Sequence, residues 1–179
     1  MMGNRNFGVV CVGLAVAVSS ARPVAAEVLS SGASGFEVRE TVHVAASPDK
    51  AYAALVQPAR WWASDHTLSG NAANLTLDVR AGGCWCESLP EGGSAEHLRV
   101  VYVAPGKALR LRGALGPFQG LGLEGAMTWS LKAGASGTDI SVTYALGGYA
   151  KDGFDGLSKA ADHVLGEQIE RLRKLIDAP

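Results

Sequence analysis

Apolar and polar residues alternate with a period of two through most of residues 36–146, the pattern of strands with one buried and one wet face. In the first such run, residues 36–45, Val38, Val42 and Val44 share one face, and Arg39, Thr41 and His43 the other. Leu75, Leu77 and Val79 repeat the alternation, and Trp85, Glu87 and Leu89 share a face of the next run. Leu98, Val100 and Tyr102 mark a fourth strand, and Leu109 and Leu111 a fifth. Met127, Trp129 and Leu131 mark a sixth, and Ile140, Val142, Tyr144 and Leu146 a seventh. Turn signals separate them: Ala81-Gly82-Gly83, Pro90-Glu91-Gly92-Gly93, Pro105-Gly106 and Gly134-Ala135-Ser136-Gly137. Residues 75–146 therefore read as an antiparallel meander.

The period changes to helical at two places. Ser47-Pro48-Asp49 offers an N-cap serine and a proline at the first helical position, and Tyr52, Leu55 and Val56 follow at helical spacing. Pro58 ends that helix, and residues 59–64 predict a further turn or two carrying Trp61 and Trp62. Over residues 155–176 one stripe collects Leu157, Ala161, Val164, Leu165, Ile169, Leu172, Leu175 and Ile176, while Lys159, Asp162, Glu167, Glu170, Arg173 and Lys174 lie off it. Gln168 sits inside the stripe, where an unpaired amide costs about 1 to 3 kcal/mol; it must bond a strand carbonyl or look into a cavity. Gly166 reads as lying opposite the stripe, free to let the helix bend. A strand, a short helical pair, a curved meander and a closing helix predict an α+β domain of about seven strands wrapped around the last helix, an arrangement that encloses a cavity.

Composition changes this picture mainly at the amino terminus. Arg5, an apolar run over residues 7–18 and the small residues Val24-Ala25-Ala26 are the marks of a secretory signal peptide, and the run is too short to span a bilayer, which takes roughly 20 apolar residues. The expected organisation is a signal peptide over 1–26, a flexible linker over 27–35, rich in small residues, and one domain over 36–179. Cleavage after Ala26 leaves 153 residues and lowers the 16 basic residues to 14 against 17 acidic, a net charge of −3. That length supports one well-buried core. No basic stripe interleaved with aromatics appears, so nucleic acid is not an expected partner, and no second long apolar run suggests membrane insertion. The expected location is periplasmic or secreted.

Cys84 and Cys86 are separated only by Trp85. On an extended strand their Cα atoms lie about 6.5 to 7 Å apart, at or beyond the limit for a disulfide. The geometry predicts two free thiols on one face, although an exporting compartment favours oxidation and a Cys-x-Cys disulfide or redox pair is the alternative. A metal site combining these thiols with His97 or His66 lacks zinc-type spacing, so neither metal nor cofactor is expected.

Several segments together resemble a known superfamily. They are Ala46-Ser47-Pro48-Asp49-Lys50-Ala51-Tyr52, Arg60-Trp61-Trp62, Gly82-Gly83-Cys84-Trp85-Cys86-Glu87, Val101-Tyr102-Val103-Ala104-Pro105-Gly106-Lys107, and Thr128-Trp129-Ser130-Leu131 followed by Gly137-Thr138. They are similar to the SRPBCC or START-like helix-grip proteins, and within them to the polyketide cyclase/dehydrase-like and chaperone-ATPase-activator-like branch. The resemblance spans nearly all of residues 36–176. It implies the fold more than the activity, because members include lipid carriers, hormone receptors, cyclases and chaperone partners.

Chemistry must then come from polar groups able to face the cavity. Trp61, Trp62, Trp85, Trp129, Tyr102 and Tyr144 suit core and cavity lining alike, being large and flat with polar tips. His66, after Asp65, and Glu87 are the candidate acid or base groups. A buried Glu87 needs neutralising, for which Arg110 or Arg112 on the fifth strand are available. His97 and Tyr102 lie on opposite parities, so without a bulge only one faces inward; Tyr102 travels with Leu98 and Val100 and is the interior candidate. Glu87, Tyr102 and Gln168 are the polar groups expected nearest the cavity. The expected function is an exported binding protein for a small hydrophobic or aromatic molecule. The alternatives are a cyclase/dehydrase-like enzyme acting on a carbonyl substrate and a chaperone-activator-like interaction module.

Overall fold

The computed structural model describes residues 25–178. Eight strands form one antiparallel sheet in the order β1-β2-β8-β7-β6-β5-β4-β3. They are β1 (Ala25–Gly32), β2 (Gly35–Val44), β3 (Leu75–Leu77), β4 (Cys84–Ser88), β5 (Ser94–Ala104), β6 (Ala108–Arg112), β7 (Leu123–Gly134) and β8 (Gly137–Gly148). Helix α1 (Pro48–Leu55) follows β2, and α2 (Asp155–Asp177) closes the chain. β3 to β8 form the expected meander, and β2 pairs with β8 along its whole length, so the chain returns beside its own beginning. The sheet curves around α2, which lies chiefly against β2 and β1. This is a helix-grip arrangement.

The local signals act as their chemistry requires. Ser47 Oγ accepts from the Lys50 N–H at the start of α1, and short 3-10 turns at Pro58–Arg60 and Ser64–His66 complete the helical segment. Inward residues of β2, β6, β7 and β8, among them Val38, Val42, Leu109, Leu111, Met127, Trp129, Ile140 and Val142, meet Leu165, Ile169 and Leu172 of α2 in one core. No helix among the described residues is long and apolar enough to cross a membrane.

The sheet has a strand more than the sequence pattern announces. The leader expected over 1–26 falls, up to residue 24, outside the described residues. Residues 27–32, expected to belong to a flexible linker, instead continue β1, an edge strand paired with β2 through Glu27↔Arg39 and Val28↔Val38. Only Ala33 and Ser34 remain as the turn. Ladder pairing here uses backbone groups, and Ser30-Ser31-Gly32 carry almost no side-chain signal of a strand. Ser31 Oγ also donates to Asp155 Oδ1 at 2.7 Å, tying the edge to the start of α2.

A further expectation, that of free thiols, fails in β4. Cys84 and Cys86 are joined by a disulfide, with Cα atoms 5.3 Å apart. At that separation β4 is short of full extension where the bond forms, beside the point where its pairing with β5 shifts register between Trp85 and Cys86. The prediction of free thiols assumed an unbroken ladder.

Candidate functional site

A cavity of about 330 Å³ opens between the sheet and the first half of α2. Trp62, Leu75, Trp85 and Tyr144 line it from one side, Ala161, Val164 and Leu165 of α2 from another. The segment from Leu115 to Phe118, between β6 and β7, and the segment from Asp65 to Leu68 close its remaining walls. Its size lies at the lower end of small-molecule sites.

The polar wall arises from a bulge in β5. Trp85 pairs with Leu98 and Cys86 with Glu96, leaving His97 as the extra residue. Such a bulge lets consecutive side chains point the same way, and His97 and Leu98 are both buried. His97 Nε2 lies 2.8 Å from Glu87 Oε2. The Leu68 N–H donates to Glu87 Oε2 at 3.0 Å and the Ser69 N–H to Oε1 at 2.5 Å. Burial pushes the Glu87 carboxyl up, but the bonds from Ser69, Leu68 and His97 outweigh it and hold the group below the usual carboxylate range. An ionised Glu87 only accepts, so the His97 proton in this bond sits on Nε2. His97 Nδ1 is buried without a partner among the described residues, as is Trp85 Nε1.

Most aromatic candidates form one cluster, but only part of it reaches the cavity. Trp62 and Trp85 line it, their rings 5.1 Å apart and close to perpendicular. Trp61 and Trp129 do not: they stack behind that wall, Trp61 contacting Trp62 at 5.5 Å, Trp85 at 6.3 Å and Trp129 at 5.7 Å. Trp61 Nε1 donates to Leu55 O and Trp62 Nε1 to His66 O, so both indoles serve as anchors of the helical segment. Tyr144 lines the cavity, but its hydroxyl accepts from the Leu115 N–H at 2.9 Å and donates to Gly113 O at 3.2 Å. Its role is to pin the Leu115 wall. Burial also pushes its phenol up, out of reach of titration at ordinary pH. Gly113 has φ +132, and a Cβ there would stand 3.2 Å from His97 O, so the turn packs directly on the bulge.

Two polar candidates, Tyr102 and Gln168, fall elsewhere. Tyr102 is 49% exposed, because a second register shift in β5, between Val100 and Tyr102, reverses the parity. It lies on the outer face of the sheet under Arg110, whose guanidinium carbon is 5.5 Å from the ring centre. Gln168 is fully buried but faces the helical segment: its Oε1 accepts from the Ala63 N–H at 2.7 Å. With Arg171 Nε donating to Trp61 O at 2.8 Å, it fastens that segment to α2; neither a strand carbonyl nor the cavity is its partner. Glu87 is inward as expected, yet backbone amides and His97 satisfy it. Arg110 instead donates to Thr128 Oγ1, and Arg112 stands 4.0 Å from Glu124.

His66 does border the cavity, at its mouth. Its Nε2 lies 3.1 Å from Glu167 Oε2 on α2, so it bridges the two sides of the opening rather than pairing with adjacent Asp65. His97 and the Leu115 to Phe118 wall are what the sequence reading missed. The histidine was visible as a polar residue beside a strand face, but its direction depends on a bulge that alternation cannot reveal. No group of three or more His, Cys, Asp or Glu side chains suited to a metal ion occurs among the described residues.

The sequence matches no protein-family profile and no curated protein. Solved structures do match. Protein MLL2253 from Mesorhizobium loti has 22% identity and a TM-score of 0.56 over 79% of this chain and 96% of its own. CalU16 from Micromonospora echinospora has 13% identity and a TM-score of 0.52 over 88% of this chain and 85% of its own. DynU16, a protein of the dynemicin biosynthetic locus, has 20% identity and a TM-score of 0.57 over 79% of this chain and 47% of its own. At these identities the likeness concerns the fold, and with the curved sheet closed on α2 it establishes a helix-grip domain.

Proposed function

We propose that this protein binds one small, mainly apolar molecule in the cavity between its sheet and α2. The observation that carries this reading is the cavity itself, about 330 Å³, walled by Trp62, Leu75, Trp85, Phe118, Val164 and Leu165, with its polar groups confined to one wall and the mouth. Apolar walls supply affinity through surface removed from water, and a few placed polar groups set orientation. The resemblance to the polyketide cyclase/dehydrase-like branch agrees with a flat, ring-bearing ligand. A formed cavity favours this reading over an interaction module, which needs an exposed apolar patch instead. Native mass spectrometry of the gently purified protein tests it: a 1:1 small-molecule adduct, lost on denaturation, is the expected result. A ligand-free protein that also fails to take up 2-naphthol or naphthalene in dialysis would contradict it.

The Glu87–His97 pair also favours a second reading, an enzyme in which His97 accepts a proton from a bound substrate. Conversion of a co-purified molecule by the wild type, abolished in His97→Gln with binding retained, would select that reading over the carrier.

The site of action is exported in this proposal. The apolar leader over 1–26 supports it, and so does the Cys84–Cys86 disulfide, a bond that persists in oxidising compartments. The mature protein should start at or near Glu27 in the exported fraction; an intact amino terminus recovered from cytosol would contradict this.

A further inference from the structure

The cavity's polar wall has a definite chemical complement. Glu87 is held as a carboxylate by two backbone amides and receives the Nε2 proton of His97. That bond fixes both the ring's orientation and its tautomer: the neutral imidazole has its remaining lone pair on Nδ1. Nδ1 is buried and unpartnered among the described residues, on a side chain that is only 5% exposed and borders the cavity. Buried polar atoms in native proteins are nearly always paired, so an orphan at a cavity wall marks the place of a ligand atom. Trp85, on the same wall, has an orphaned indole N–H. The wall thus lacks a donor for His97 and an acceptor for Trp85, and a hydroxyl is the simplest group that is both. The other polar groups at the cavity are already engaged or lie at its mouth: Tyr144 and Thr67 hydroxyls bond backbone carbonyls, and His66 bonds Glu167.

We propose that the ligand of this cavity is an aromatic or polycyclic alcohol, phenol or enol whose hydroxyl donates its hydrogen to His97 Nδ1. This rests on the reading of the cavity as a binding site and adds which functional group it selects. No bond is made or broken; the residue confers specificity. The cost of leaving an acceptor unmet inside the protein makes the discrimination sizeable, and a shape-matched ligand lacking the hydroxyl leaves Nδ1 orphaned.

Equilibrium dialysis of the full mature chain against 2-naphthol, 2-methoxynaphthalene and naphthalene tests this. The wild type should bind 2-naphthol about tenfold more tightly than either analogue. In His97→Phe, which keeps an aromatic ring but has no acceptor, that preference should fall to about one. Glu124→Gln, an exposed change on β7 outside the cavity lining, should retain it. Equal binding of all three probes by the wild type overturns the hydroxyl assignment and leaves the binding site standing. Preference for the methyl ether, which only accepts, shows that the wall presents a donor, such as Trp85 Nε1, to the ligand rather than His97 Nδ1 as acceptor, and also overturns it. Binding of none of the three overturns both the assignment and the site. The wild-type comparison decides the matter even if His97→Phe does not fold.

Discussion

Glu87 and Glu40 are both almost wholly removed from solvent, yet their surroundings are opposite. Glu87 receives hydrogen bonds from two backbone amides and His97, and stays ionised. Glu40 sits on the inner face of β2, between Val38 and Val42, under α2, and neither of its oxygens has a hydrogen-bond partner among the described residues. Its neighbour is another acid, Asp162. Burial first, then the neighbouring acid Asp162, push the Glu40 carboxyl up to about 8. Gly166 of α2 lies directly above it, where a Cβ would be 3.5 Å from Oε2. The helix therefore turns its side-chain-free position toward the sheet, contrary to the expectation that Gly166 lies opposite the apolar stripe. Burial alone does not decide the charge of a carboxyl; the donors folded around it do. One acid is built into the wall of the candidate site, and the other is a proton-dependent seam between β2 and α2.

The strongest way to break this contrast is to remove Glu87. Glu87→Leu strands the Leu68 and Ser69 amides and His97 Nε2, and should lower stability by about 3 to 4 kcal/mol in chemical unfolding at neutral pH. A loss under 1 kcal/mol would show that water or another group readily replaces the carboxylate.

The pH dependence of the two acids sharpens it next. The Glu40 carboxyl is raised in the folded state, so its contribution is fully present below its ordinary value of 4.5 and is lost as pH rises toward about 8. Glu87 is lowered, so its contribution is present above the ordinary value and disappears as pH falls below it. Stability should decline between pH 4.5 and 8, by about 2 kcal/mol once solvent screening is allowed for, and Glu40→Gln should flatten that decline. An unchanged slope in Glu40→Gln would place the titrating group elsewhere.

Reducing the Cys84–Cys86 disulfide should have the smallest effect. A loop this short constrains the unfolded chain little, so about 1 to 2 kcal/mol is expected. The change should be local: faster amide exchange at Leu68 and Ser69, with the Glu40 decline intact. Loss of the Glu40 decline on reduction would mean the two regions are coupled.

The same contrast shows what the sequence could and could not announce. The meander, the helix capped by Ser47 and the long stripe of α2 follow from alternation, capping chemistry and helical spacing, and all stand in the fold. Glu40 was also legible, since it shares the parity of Val38 and Val42; an acid in an inward series is a visible anomaly. Glu87 was legible as an inward acid because it follows Trp85 on the same face. What was not legible lies in β5. Its two register shifts turn His97 inward and Tyr102 outward, and each depends on where the ladder adds a residue, which period-two reasoning assumes never happens. The disulfide failed for the same reason, and β1 because its serines and glycine pair through the backbone alone.

The central claim, that a ligand occupies the cavity beside His97, is tested most directly by filling it. Ala160 is exposed on α2 and borders the cavity, so Ala160→Phe narrows the space without disturbing the core. The account predicts a wild-type melting temperature within a few degrees and an affinity for 2-naphthol weakened about tenfold or more in equilibrium dialysis. Unchanged affinity in a folded Ala160→Phe protein would contradict it, because the probe would then bind somewhere other than this cavity.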